Sequence, residues 1–306
     1  AFVARAMLIE HADRSLDIAY YIWHDDVSGK MLFQMLQRAA QRGVRVRLLL
    51  DDNNTRGMDD VLAALDAEDN IEIRLFNPFP HRKVRALGYL TDFPRLNRRM
   101  HNKSLTADNQ YTIVGGRNIG DEYFNVTTEI GFADLDVLAK GEVAEDVSRD
   151  FDRYWASGSS YPFFSIAPRA DAEKGRLKLH RSRRDDAEIR ANYLDELAAS
   201  PLAAAISEGN VPWQYADARL ISDDPAKGLA RDKELPAIAD SLLEALGKPE
   251  KDVFIVSPYF VPSKWGMAAL RDLTANNVKV TVLTNSLRAT DVAAVHSGYA
   301  RYRKDL

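Results

Sequence analysis

The 306-residue chain contains no cysteine. That absence excludes a disulfide framework, a thiolate metal centre and a cysteine nucleophile together. An excess of charge is also missing: 41 Lys and Arg stand against 45 Asp and Glu, a formal −4, which argues against a general nucleic-acid surface. No run of about 18 apolar residues occurs and no basic leader precedes an apolar segment, so neither a membrane span nor a signal peptide is predicted. The first residue is Ala1 rather than methionine, and further upstream sequence is expected. What the chain does have is 46% apolar residues, enough for a substantial core and for two domains of about 150 residues each.

Periodicity predicts an α/β organisation. SLDIAYYIW (15–23) reads as a strand, GKMLFQMLQRAAQRG (29–43) as an amphipathic helix with Leu32, Met35, Leu36 and Ala39 on one face, and VRVRLLLDD (44–52) as a buried strand. Together they make a β-α-β unit. A short helix at 59–70, a strand at 71–77 and a strand at 111–116 running into Gly115 and Gly116 follow. Val143, Val147, Phe151 and Tyr154 share one face of a helix that ends near Trp155. Residues 157 to 184, with KGRLKLHRSRR, read as a linker or an inter-domain surface strand, and a helix is predicted over 185–199.

The opening layout recurs. KDVFIVSPYF (251–260), GMAALRDLTANN (266–277) and VKVTVLTNS (278–286) repeat strand, helix and strand, and pairing Val46 with Val280 and Leu48 with Val282 sets the displacement at 234 residues. The expected division is a first half at 1–156, a linker with an inter-domain helix at 157–210, and the beginning of a second half at 211–306.

Chemistry concentrates in MHNKSLTADNQYTIVGGRNIGDEYF (100–124). His101 and Lys103 are separated by one residue, so on a strand both side chains face the same way. An imidazole beside an ammonium suits attack on a phosphate: histidine acts as nucleophile or proton shuttle and lysine offsets charge on the nonbridging oxygens. Asn118 is expected to donate an amide hydrogen bond to those oxygens, and Gly115 and Gly116 to let backbone amides approach them. Asp108 is expected to hold Lys103 or an adjacent arginine through a charged hydrogen bond. Asp51 and Asp52, at the end of a predicted strand, are candidates for magnesium but read better as a solvated turn. The cationic and amide donors leave no step that requires a metal or cofactor.

The pattern HNK, four residues, D, six residues, GGRN resembles the HxKxxxxDxxxxxxGxxN signature of the phospholipase D superfamily. NRRMHNK (97–103), YYIWHDDVSG, RGVRVRLLLDD, Phe132 through Trp155, SPYFVPS and HSGYARYRKDL resemble its bacterial cardiolipin synthase subgroup. The resemblance implies a sandwich of mixed β-sheet flanked by helices, in two pseudo-symmetric halves of which the second is incomplete here. It implies two HxK motifs facing each other across one cleft, and the 234-residue displacement puts the second near position 335. Carried onto this chain, His101 becomes the nucleophile that forms a phosphohistidine, Lys103 and Asn118 the phosphate clamp, and Glu129 the carboxylate that orients the histidine. The 306 residues alone are then expected to show little turnover, because the opposing acid–base histidine is absent.

The implied activity is transfer of a phosphatidyl group, from phosphatidylglycerol or phosphatidylethanolamine, to phosphatidylglycerol. The implied location is peripheral, on the cytoplasmic side of a bacterial inner membrane, with anionic phospholipids as partners and no nucleic acid. HRKVRALGYLTDFPRLNRRM (81–100) offers a surface for this, since six Lys and Arg residues alternate there with Leu87, Tyr89, Leu90, Phe93 and Leu96. The competing expectations are a phospholipase or nuclease-like phosphodiesterase using the same histidine, and a noncatalytic membrane-binding module. A homodimer pairing two copies of His101 is also possible, and ranks below a fused two-half enzyme.

Overall fold

The middle of the main sheet is strand β1 (Ser15–Tyr20), all six of whose residues are buried. The computed structural model describes residues 1–306 other than 83, 127–130, 182–183, 230–237 and 291–292. Helix α1 (Phe2–His11) precedes β1, and helix α2 (Val27–Gln41) crosses from it to the parallel strand β2 (Arg45–Asp51). Asp26 caps α2, its carboxylate accepting from the Gly29 amide at 3.0 Å. Helix α3 (Asp59–Asp66) then leads to the parallel strand β3 (Ile71–Phe76). After helix α4 (Arg85–Leu96) the chain turns back as the antiparallel strands β4 (Lys103–Ala107), β5 (Tyr111–Gly115) and β6 (Asp136–Lys140). The short helix α5 (Asp121–Phe124) lies between β5 and β6, and helix α6 (Glu142–Trp155) and strand β7 (Ser160–Pro162) follow. The sheet order is β6-β5-β4-β1-β2-β3-β7.

Strand alternation sends side chains to two cores. Ile18, Tyr20, Leu48 and Leu50 pack in a large cluster with Leu32, Phe33 and Leu36 of α2 and Val61 and Leu62 of α3. Ala19 and Leu49 point the other way, to Phe151, Tyr154 and Trp155 of α6. Helices therefore cover both faces of β1 and β2, which is why these strands read as continuous apolar runs. Burying each large side chain contributes about 2 kcal/mol. The polar exception is a register pair: Asp17 faces Arg47 across β1 and β2 and accepts from its Nε and Nη2 at 2.7 and 2.8 Å.

The segment read as a linker or surface strand differs. Residues Ala172–His180 form a helix capped by Asp171 and packed on α3. A Cβ on Gly175 would stand 1.8 Å from the Asp60 carbonyl oxygen, so the contact requires glycine, and Lys178 donates to the Asp60 carboxylate at 2.7 Å. The basic run thus serves a buried helix–helix contact that periodicity does not reveal. The following predicted helix is present as Arg184–Ala198.

The chain forms two compact units, Ala1–Leu235 and Pro236–Leu306. The first takes in 1–156, 157–210 and 211–235. Within the second, β8 (Asp252–Val256) and β9 (Lys279–Leu283) pair in parallel around the helix Ser263–Ala275. Val280 and Val282, the partners of Val46 and Leu48 in the repeat, lie on β9 opposite Val253 and Ile255.

Candidate active site

The β1–β4 register places Lys103 opposite Tyr20. This is the carboxyl end of the parallel strands, where open α/β sheets receive their ligands. The next residue outward, Tyr21, meets both members of the HxK pair. Its ring stacks on the His101 imidazole with centroids 3.9 Å apart and planes at 25°, and Lys103 Nζ stands 5.7 Å from the same ring centroid. Lys103 Nζ also donates to the His101 carbonyl at 2.7 Å. His101 itself precedes β4 and stays exposed, so one face is open to solvent while the other is covered.

Burial and the neighbouring Lys103 ammonium hold the His101 imidazole below its ordinary pKa, against a hydrogen bond to the Arg99 backbone that raises it. Burial likewise lowers Lys103, with the Asp134 carboxylate acting the other way. Both shifts favour the uncharged forms of the two groups.

One predicted role changes, and three other predicted residues are engaged within the protein. Among the described residues Asp108 makes no side-chain hydrogen bond or ion pair with Lys103 or an arginine: it lies at the far end of β4, about 16 Å of strand from Lys103. Its oxygens accept the backbone amides of Asp13, Arg14 and Ser15 at 2.8 to 3.0 Å, tying the β4–β5 hairpin to the start of β1. Asp108 and Asn109 both have positive φ (53° and 58°), the requirement of a tight hairpin turn. Asn118 is 4% exposed; its Oδ1 accepts from the Ile22 amide at 3.1 Å and its Nδ2 donates to the Tyr123 hydroxyl at 3.0 Å. It therefore braces the segment that carries Tyr21. A Cβ on Gly116 would meet the end of the exposed Asp134 side chain, whereas Gly115 is glycine for space, since a Cβ there would lie 2.5 Å from the Leu135 carbonyl oxygen. The Gly116 amide already donates to that carbonyl at 3.1 Å. Glu129 lies outside the described residues.

Asp51 and Asp52 are not a solvated turn; both are 0% exposed. Asp51 accepts the amides of Asn53 and Met100 at 2.8 and 2.9 Å and pairs with Arg99 at 3.3 Å. Burial pushes its carboxyl up from 3.8 to about 7. Asp52 pairs with Arg82 and accepts the Phe79 amide at 2.8 Å. Arg82, Arg85 and Arg99 therefore turn inward, to the carboxylates at the end of β2, and α4 presents Leu87, Leu90 and Phe93 outward, with Leu90 83% exposed. Arg99, 7% exposed and two residues from His101, leaves Nε and Nη2 without a partner.

Among the described residues, His24, Asp26 and Glu122 group as a metal site would. His24 pairs with Glu122 at 3.2 Å, while Asp26 is engaged by the Gly29 and Asp121 amides at 3.0 and 2.8 Å. The arrangement reads as helix capping plus one ion pair. Tyr21 is the residue that sequence reading missed: a tyrosine after a strand carries no signal of which groups it meets.

The family model for the cardiolipin synthase, PLD-like domain matches residues 6–155. Residues 6–155 thus form a phospholipase D-like domain. It is 50% identical along its whole length to cardiolipin synthase C of Escherichia coli (strain K12), of which it covers 65%. It is 34% identical to an uncharacterized protein of Helicobacter pylori (strain ATCC 700392 / 26695), of which it covers 61%. The chain thus spans under two thirds of the length of these relatives. In fold it is similar to phosphatidylserine synthase of Haemophilus influenzae Rd KW20, with a TM-score of 0.59 at 13% identity over 99% of this chain and 67% of that one.

Proposed function

We propose that the protein carries the first half of a phosphatidyl-transfer site that makes cardiolipin. The observation that carries this reading is the solvent-facing His101 imidazole set beside the Lys103 ammonium on one aromatic ring. The identity shared with cardiolipin synthase C supports the choice of substrate class. An imidazole nitrogen of His101 bonds to the phosphorus of phosphatidylglycerol or phosphatidylethanolamine, and the bond from phosphorus to the headgroup oxygen breaks. The headgroup alcohol leaves with a proton from a second histidine, expected near position 335. That histidine then takes the proton of a phosphatidylglycerol hydroxyl as its oxygen attacks phosphorus and frees His101. Lys103 balances the charge of the nonbridging oxygens, and the unpaired Arg99 nitrogens add to the positive potential nearby.

The reading places the protein peripherally on the cytoplasmic side of a bacterial inner membrane, with anionic phospholipids as partners. No described helix is long and apolar enough to cross a membrane, and the outward apolar face of α4 supports attachment at the bilayer interface. The test is incubation of the full-length encoded protein with headgroup-labelled phospholipid and phosphatidylglycerol vesicles, read by mass analysis. His101→Ala is expected to lower cardiolipin formation by at least about 10³. Unchanged turnover in that variant refutes the role of His101, and phosphatidic acid without cardiolipin assigns the site to hydrolysis.

A further inference from the structure

We infer that Tyr21 is the positioning residue of this site: its ring face sets the plane of the His101 imidazole and the place of the Lys103 ammonium together. The inference rests on the reading of His101 as nucleophile. Three observations carry it. The first is the shared ring, with the imidazole stacked at 3.9 Å and the ammonium 5.7 Å from the centroid. Stacking covers one face of the imidazole and does not itself occupy the ring nitrogens, one of which is hydrogen-bonded to the Arg99 backbone, so orientation is imposed without blocking attack by the other.

The second is the rigidity of the platform. The Tyr21 carbonyl accepts from Asn54 Nδ2 at 3.0 Å, and the following amide, Ile22, donates to Asn118 Oδ1 at 3.1 Å. The Ile22 carbonyl accepts from the Ile119 amide at 3.1 Å, and Trp23, 2% exposed, stacks on Phe33 at 4.4 Å. Tyr21 is thus fixed on both sides by the β2 end and by the motif's own asparagine. The third is charge: when an imidazole nitrogen bonds to phosphorus the ring becomes cationic, and the negative face of a phenol stabilises it. Lys103, Asp134 through Lys103, and the Arg99 backbone are the other groups acting on His101.

The test compares Tyr21→Phe, which keeps the ring face, with Tyr21→Leu, which removes it, and Tyr21→Met as a second nonaromatic variant. In the full-length protein Tyr21→Leu and Tyr21→Met are expected to lower kcat about 10- to 100-fold with KM within about threefold, and Tyr21→Phe to stay within about threefold of wild type. In the 306-residue chain, proton NMR of its histidine rings, with His101→Ala to identify the resonance, supplies a readout independent of turnover. The His101 ring protons are expected upfield in wild type and Tyr21→Phe, and displaced downfield in the other two. Wild-type kcat in Tyr21→Leu and Tyr21→Met, equal losses in Tyr21→Phe and Tyr21→Leu, or unmoved His101 resonances would each overturn the proposal. An inactive His101→Ala beside a fully active Tyr21→Leu overturns Tyr21 alone, whereas a fully active His101→Ala overturns the nucleophile assignment beneath it.

Discussion

Asp51 at the end of β2 accepts the Met100 amide at 2.9 Å, one residue before His101. A wholly buried carboxyl thereby sets the backbone that delivers the imidazole to the sheet end, while Tyr21 meets that imidazole from β1. The two parallel strands that form the most buried part of the fold therefore also place the reacting group.

Removing that carboxyl should be felt across the first unit. Asp51→Ala leaves Arg99 without its carboxylate and the Asn53 and Met100 amides without their acceptor. A loss of about 3 kcal/mol is expected in urea unfolding followed by tryptophan fluorescence. A loss below about 1 kcal/mol would show that solvent reaches the site.

The same residue makes a signed pH prediction. Its folded pKa, about 7, lies above the ordinary 3.8, so the folded chain binds the proton more tightly. The stability it contributes is present in full below 3.8 and is lost as pH rises through about 7. The difference in unfolding free energy between wild type and Asp51→Asn should decline over this window. A difference independent of pH contradicts the burial argument.

Asp108 belongs to folding rather than chemistry. Its backbone hydrogen bonds to Asp13, Ser15 and Arg14 hold its carboxyl below the usual value against burial. Asp108→Ala is expected to reduce stability by about 1 to 3 kcal/mol while leaving the His101 proton resonances in place. Movement of those resonances at unchanged stability would return Asp108 to the site.

Gly115→Ala should strain the β5–β6 contact, because the new methyl meets the Leu135 carbonyl oxygen and the Asp136 Cα. A loss of about 1 to 3 kcal/mol is expected in urea unfolding, and Gly116→Ala, whose methyl meets the end of the exposed Asp134 side chain, should cost less. An equal loss in both variants would place the strain elsewhere.

The face of α4 can be tested apart from catalysis. Leu87→Ser, Leu90→Ser and Phe93→Ser remove exposed side chains, so stability should change by under about 0.5 kcal/mol each. Together they should abolish sedimentation with phosphatidylglycerol vesicles. Because Arg82, Arg95 and Arg99 are held in ion pairs, added salt should weaken wild-type binding only modestly. Wild-type binding by the triple variant assigns attachment to another surface.

Much of the architecture was legible in the chain. The spans predicted for the first β-α-β unit hold as β1, α2 and β2, because a doubly covered strand and a one-sided helix leave different apolar periods. The helix through Val147, Phe151 and Tyr154 was legible for the same reason. Residues 172–180 were not, since what makes them a helix is a glycine-tight contact with α3, more than a hundred residues distant in sequence.

The candidate site divides along the same line. By itself the sequence determined that an imidazole and an ammonium would stand close together at a strand end, since a single residue of chain separates them. Only the tertiary structure decided what surrounds them. The β1–β4 register brought Tyr21 beneath both, burial turned Asp51 from a surface acid into the anchor of Met100, and strand length carried Asp108 away to a hairpin. Spacing encodes direction along one element, whereas partners across elements are set by packing, and a sequence does not display that pair by pair.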